Sequence, residues 1–252
     1  YCIFSTEDAI VSSKFASGTH TLYTALRGLL DFGDNLVSLT GELYDTIEKA
    51  IKDKDGIVKK MNVTFDKIDL TMEGRIDLEA IKDPVFKKYK IAVIQRSRGY
   101  STHRSIPVAE IEEAAKAIKK YSPSTILFVD NCYGEFVETR EPSDAGADII
   151  AGSLIKNPGG TIAVSGGYIA GRRDLIEKIS SAYTVPGIGR EIGCEDSTNL
   201  RLMFQGIYLA PKIVEECLLT AYYTGLVFSD MGYEISPGLD DTRADIIQSI
   251  VF

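Results

Sequence analysis

Short apolar runs alternate along this chain with amphipathic helical patterns, and that alternation restricts the fold more than any other feature of the sequence. Ser124–Val129 is a run of mostly β-branched and aliphatic residues that ends abruptly in Asp130 and Asn131, the pattern of a strand buried on both faces. Before it, Val108–Tyr121 places Ile111, Ala114, Ala115 and Ile118 on one side of a helix and Glu112, Glu113, Lys116 and Lys119 on the other. The same succession predicts helices over Thr19–Leu30 and Asp45–Lys52. It predicts strands over Asn35–Leu39, Val63–Leu70 and Lys90–Gln95, with a partly helical stretch from Glu79 to Tyr89. Strands joined through helices are parallel, so the expected fold is α/β, with a mainly parallel sheet between helices.

Downstream, Asp148–Ala151 reads as a further strand. Thr161–Ser165 and Tyr168–Ala170 flank Gly166-Gly167 and predict a hairpin, so an antiparallel strand interrupts the sheet. A helix over Asp174–Tyr183 follows, then two more over Ser197–Ala210 and Pro211–Phe228, the second with proline in its first turn. Tyr233–Ile235 and Asp245–Phe252 look like strands of a smaller layer. The expected division is a large domain over 1–210, and over 211–252 a linking helix with the start of a small C-terminal domain. The start at Tyr1 and the stop in mid-strand predict a piece of a longer protein.

With 44% hydrophobic residues, 25% charged residues and a formal net charge of −8 over 252 residues, the composition is that of an ordinary globular protein and suggests no nucleic-acid partner. No apolar run is long enough to span a membrane, so no membrane partner is expected. Cys2, Cys132, Cys194 and Cys217 form no CxxC pair, and His20 and His103 are the only histidines. No metal site is therefore expected, and a reducing cytoplasm is the expected setting.

Chemistry is concentrated at element ends. Open α/β sheets bind ligands beyond the carboxyl ends of their strands, where Asp130 falls. Lys156 lies in a glycine-bounded loop, Ser153-Leu154-Ile155-Lys156-Asn157-Pro158-Gly159-Gly160, directly after a strand. Phe15-Ala16-Ser17-Gly18-Thr19-His20 opens an amphipathic helix with hydroxyls and a glycine, a combination that suits a phosphate. Pyridoxal phosphate needs an amine for its aldehyde, a carboxylate against its ring nitrogen and a phosphate cradle, and these three segments offer the set. Each also has a plain alternative: a solvated loop lysine, a turn acid and an ordinary helix cap.

The motifs Ser17-Gly18-Thr19-His20, Ile94-Gln95-Arg96-Ser97-Arg98-Gly99-Tyr100-Ser101 and Val129-Asp130-Asn131-Cys132-Tyr133-Gly134-Glu135-Phe136 continue with Ala147 to Gly160, Gly166 to Gly171 and Pro186-Gly187-Ile188-Gly189. In this order they resemble the aluminium-resistance proteins, a methionine gamma-lyase-like branch of the cysteine/methionine-metabolism pyridoxal phosphate enzymes. The resemblance implies a type I pyridoxal phosphate-dependent transferase fold, with Lys156 as the Schiff-base lysine and Asp130 as partner of the ring nitrogen. It implies Ser17, Gly18, Thr19 and Ser153 as phosphate contacts and Tyr44 as an aromatic ring on the cofactor; a core tyrosine at a helix start is the alternative for Tyr44. Arg96, Ser97 and Arg98 are expected to face the same crevice. Ile155 departs from the wider superfamily, which has a hydroxyl residue before the lysine.

The implied activity is carbon–sulfur lysis or a related elimination on an amino acid. Transamination, racemisation and a cofactor-binding stress protein without catalysis stay open. A homodimer or homotetramer is expected for the full-length protein, and the piece itself is expected to be inactive.

Overall fold

The computed structural model describes residues 3–101, 103–191 and 193–252; Tyr1, Cys2, Thr102 and Ile192 lie outside the described residues. The chain forms β1 (Asp8–Ser12), α1 (Gly18–Leu29), β2 (Asn35–Ser38), α2 (Asp45–Lys52), α3 (Ile57–Met61), β3 (Thr64–Lys67) and α4 (Leu78–Lys82). It continues through β4 (Ile91–Gln95), α5 (Val108–Tyr121), β5 (Ile126–Asp130), β6 (Ile149–Ser153) and β7 (Gly167–Gly171). It ends with α6 (Arg173–Tyr183), α7 (Ser197–Asp230), β8 (Glu234–Ser236) and β9 (Ser249–Val251). Seven strands make one sheet in the order β1-β7-β6-β5-β4-β2-β3, and β8 and β9 pair separately. The pairs from β3 to β6 are parallel; β7 is antiparallel to both β6 and β1.

Alternation along the central strands explains how the two faces are filled. Ile91 and Val93 of β4, Phe128 of β5, and Ile149 and Ala151 of β6 enter a core with Leu22, Leu26 and Leu29 of α1 and Ile176 and Ile179 of α6. Ala92 and Ile94, Leu127 and Val129, and Ile150 enter the opposite core, against Ile111, Ala114 and Ile118 of α5. Successive side chains point to opposite faces, so a one-residue slip would exchange both sets. Each buried Ile or Leu side chain is worth ~1.5–3 kcal/mol, so the register is strongly held.

Two expectations need correction. Thr161–Ser165 is not a strand: β7 pairs with β6 itself, across a long connection that holds Lys156. The backbone is left-handed at Gly160 (φ +52°) and Thr161 (φ +66°), which breaks any extended run there. A Cβ on Gly160 would lie 2.3 Å from the Gly206 carbonyl oxygen of α7, so this loop packs backbone to backbone against the long helix.

The second correction is that the helices predicted on either side of Pro211 are one continuous helix, with Pro211 inside α7. Proline removes one N–H from the ladder, but Gly206 and Ala210 before it and Val214 after it are buried. Packing on both sides carries the helix through, and the expected boundary at 210/211 falls within it. β1 and α3, both short, form where the sequence pattern predicts no element.

Candidate active site

Continuing the alternation past the apolar residues predicts which polar side chains share a face. After Ile91 and Val93 comes Gln95; after Phe128 comes Asp130; after Ile149 and Ala151 comes Ser153. Gln95 pairs with Asp130, and Asp130 with Ala151, across the carboxyl ends of β4, β5 and β6. All three side chains therefore emerge on the face covered by α1, whose N-terminus lies at the same edge.

There they line a cavity of about 290 Å³ with Ser17, Gly18, Thr19, Tyr44, Ser97, Tyr100, Cys132, Tyr133, Ile155 and Lys156. Every residue singled out from the sequence for a catalytic or cofactor-binding role lines this one space: Ser17, Gly18, Thr19, Tyr44, Asp130, Ser153 and Lys156.

The N-terminus of α1 offers unpaired backbone donors. Ser17 is the N-cap, and its hydroxyl accepts the His20 N–H at 3.1 Å. The Thr21 N–H returns to the Ser17 carbonyl, which leaves the N–H groups of Gly18 and Thr19 directed out of the helix. Gly18 allows a close approach: a Cβ there would stand 3.0 Å from the Ser153 Cβ and 3.6 Å from the Cys132 sulfur. The helix end can thus close onto the ends of β5 and β6. The Thr19 hydroxyl is 2.6 Å from that of Thr46, and the Ser153 hydroxyl accepts the Ile155 N–H at 3.4 Å.

Asp130 is 8% exposed. Its Oδ1 accepts the Cys132 main-chain N–H at 3.1 Å, and no cation pairs with it among the described residues. Burial pushes its carboxyl up to about 6, against the pull of the Cys132 hydrogen bonds. The neighbouring Cys132 thiol is pushed well above its ordinary value, chiefly by burial and then by the charge on Asp130.

Lys156 is half-buried. Its Nζ donates to the Tyr133 hydroxyl and stands 4.4 Å from the centre of the Tyr133 ring. Tyr44 and Tyr100 form the outer aromatic wall, with ring centres 5.5 Å apart and hydroxyls at 3.4 Å. That hydrogen bond, followed by burial, pushes the Tyr44 phenol up to about 12.

The expectation that Arg96, Ser97 and Arg98 share the crevice holds only for Ser97. Alternation turns Arg96 to the α5 face, where it is fully buried. Its Nη1 donates to Asn131 Oδ1 at 2.8 Å and to the Gly134 carbonyl at 2.7 Å, and its Nη2 pairs with Glu138 at 2.7 Å. Arg98 binds the C-terminal segment instead. Its main-chain N–H and the Ser97 hydroxyl each donate to Asp245 Oδ2 at 2.9 Å, and its Nη1 donates to the Ser236 hydroxyl at 2.7 Å. The loop Pro186-Gly187-Ile188-Gly189 is not among the cavity-lining residues.

Gln95, Tyr100 and Tyr133 line the cavity without having been singled out for it. Strand alternation was the available signal for Gln95. Among the described residues no group of three or more His, Cys, Asp and Glu side chains is placed to hold a metal, and no helix is long and apolar enough to cross a membrane.

Comparison with known proteins gives consistent matches. The family described as methionine gamma-lyase matches residues 1–252. The YnbB protein of Bacillus subtilis (strain 168) is 41% identical over 254 residues, 99% of this chain and 60% of YnbB. The crystal structure of a carbon-sulfur lyase involved in aluminum resistance from Clostridium novyi NT superposes with a TM-score of 0.93 at 42% identity, covering 99% of this chain and 60% of that one. The pyridoxal-5'-phosphate dependent protein YhfS from Escherichia coli shares the fold at 16% identity and a TM-score of 0.68, over 93% of this chain and 59% of that one. The chain thus spans about 60% of the length of YnbB and of the Clostridium protein.

Proposed function

The chain belongs to the methionine gamma-lyase family and has the type I fold of pyridoxal phosphate-dependent enzymes, and from that premise we propose that it binds pyridoxal phosphate and serves carbon–sulfur bond elimination on an amino acid. The observation that carries this reading is a single cavity that combines an amine, a buried carboxyl without a cation, and a helix N-terminus with two open N–H groups.

These residues fit the cofactor on their own chemistry. A carboxyl as buried as Asp130 keeps its charge poorly unless a cation faces it, and a protonated ring nitrogen is such a cation. Gly18 keeps clear a cradle that a larger side chain would crowd. In that cradle the N–H groups of Gly18 and Thr19, with the hydroxyls of Ser17, Thr19 and Ser153, would hold a phosphate in the positive field of the α1 N-terminus. The Tyr44 ring would lie against the cofactor ring.

When bound, pyridoxal phosphate supplies an aldehyde that condenses with amines and a ring that spreads the negative charge left by loss of a Cα proton. Lys156 would hold the aldehyde carbon, and once displaced by the incoming amino group its Nζ would move the Cα proton. Asp130 would keep the ring nitrogen protonated. A charge-assisted contact of that kind is worth ~1.5–3 kcal/mol, against ~0–1 kcal/mol for an exposed ion pair, so Asp130 outweighs the surface acids.

Self-association is part of the same reading. Along α7, Phe204 is 67% exposed and Tyr208 83%, apolar surface that suits a second copy of the chain.

The test is a screen of the protein with pyridoxal phosphate against sulfur-containing amino acids, following cofactor absorption, keto acid and released thiol. Stoichiometric thiol and keto acid support the proposal. Transfer of the amino group to a keto-acid acceptor, or a D-amino acid without thiol, would assign a different chemistry to the same site.

A further inference from the structure

Tyr133 sits in the turn that follows β5, with φ at +66°. An aromatic residue in left-handed backbone costs ~1–3 kcal/mol and persists only where its surroundings hold it. Here they do. The Gly134 N–H returns to the Asn131 carbonyl at 2.9 Å. The buried Arg96 guanidinium binds both the Gly134 carbonyl, at 2.7 Å, and the Asn131 side chain, at 2.8 Å. The Phe136 N–H is taken by Glu141 at 2.9 Å.

The same turn is bound to the lysine loop at two adjacent points. The Asn157 side chain donates to the Glu135 carbonyl at 2.9 Å, and Lys156 Nζ donates to the Tyr133 hydroxyl. The Tyr133 ring also lies 4.4 Å from that nitrogen, within range of a cation–π contact. A residue that only filled space would not need this backbone, and glycine would adopt it without strain.

We propose that Tyr133 is a positioning residue for Lys156: its hydroxyl and ring hold the lysine's amino group at the cavity wall and set how readily that amine meets a carbonyl carbon. Arg96 and Asn131, on the far side of the sheet, hold the turn that presents it. The proposal rests on the reading of Lys156 as the amine that takes up the cofactor's aldehyde.

The experiment is borohydride trapping of pyridoxal phosphate on the protein, with peptide mapping, the absorption spectrum of the loaded protein and Tm as readouts. Tyr133→Phe keeps the ring and removes the hydroxyl; Tyr133→Asn removes both and tolerates left-handed backbone. Loss of one hydrogen bond predicts trapping on Lys156 slower by ~3–10-fold in Tyr133→Phe. Tyr133→Asn should be slower still. Both variants should show a displaced absorption band while melting cooperatively close to wild type. Wild-type trapping and an unmoved band in Tyr133→Phe would overturn the proposal. Absence of any adduct on Lys156 in the wild-type protein would instead overturn the cofactor reading, and this assignment with it.

Discussion

Asp130 Oδ1 accepts the main-chain N–H of Cys132 at 3.1 Å, and that turn is the hydrogen-bonded support of a carboxyl which burial pushes up to about 6. Its folded value lies above the ordinary 3.8, so between about pH 4 and 6 the native state binds more protons than the unfolded state. Stability contributed by the neutral form is therefore lost as pH rises through that window. A shift of this size corresponds to about 3 kcal/mol at most. Asp130→Asn should raise the Tm of the protein without pyridoxal phosphate at pH 7.5, by the equivalent of ~1–3 kcal/mol, and leave it unchanged at pH 4. With the cofactor added, the order should reverse, because wild type alone gains a charged contact. Thermal melts at both pH values, with and without cofactor, check this.

Gly18 supplies a second outcome. A Cβ at 3.0 Å from that of Ser153 crowds the junction of α1 and β6, and overpacking of this kind costs ~1–3 kcal/mol. In Gly18→Ala the strain falls on the proposed phosphate cradle, so affinity for pyridoxal phosphate should drop by about 5–100-fold on the same energy scale. Ser17→Ala should lower stability by ~0.5–2 kcal/mol even without cofactor, through loss of the helix cap, and weaken cofactor binding besides by removing a hydroxyl from the proposed cradle. Titration and melting of the two variants separate the effects.

What could be read from the sequence was whatever a periodic element carried to its own end. Asp130 closes an apolar strand, Lys156 follows one, and Ser17 to Thr19 open an amphipathic helix, so local pattern alone brought them to one edge of the sheet. Arg96 was misplaced for a related reason. It lies just past the end of a strand whose carboxyl edge faces the crevice, whereas alternation from Ile94 puts it with the α5 core and puts Gln95 in the cavity. Tyr133 had no local signal, because its placement depends on a left-handed turn held by residues far along the chain. The continuity of α7 through Pro211 and the pairing of β1 with β7 are likewise products of non-local packing, which overrides local preference.

The buried network behind the site gives a third expectation. Arg96 binds Asn131, the Gly134 carbonyl and Glu138, with Glu141 at 3.4 Å. Removing one partner leaves the others buried and unpaired, at ~3–5 kcal/mol. Arg96→Met should accordingly be destabilised by that amount in urea unfolding, far more than removal of the exposed Arg75.

Glu135 carries a fourth. Fully buried, it accepts the Tyr168 hydroxyl at 2.8 Å, and burial raises its carboxyl well above the ordinary 4.5. Its folded value exceeds its unfolded one, so it contributes a loss of stability as pH rises above about 4.5. Glu135→Gln should remove that part of the pH dependence, giving a flatter plot of stability against pH than wild type. An unchanged slope would mean that Glu135 is charged in the folded protein.

Lys156 is the residue on which the proposed function turns. The direct measurement is borohydride reduction of the protein loaded with pyridoxal 5'-phosphate, followed by protease digestion and mass mapping of every lysine peptide. One adduct per chain is expected, on the peptide that contains Lys156, together with its loss in Lys156→Ala. An adduct spread over surface lysines, or one that persists in Lys156→Ala, would contradict it.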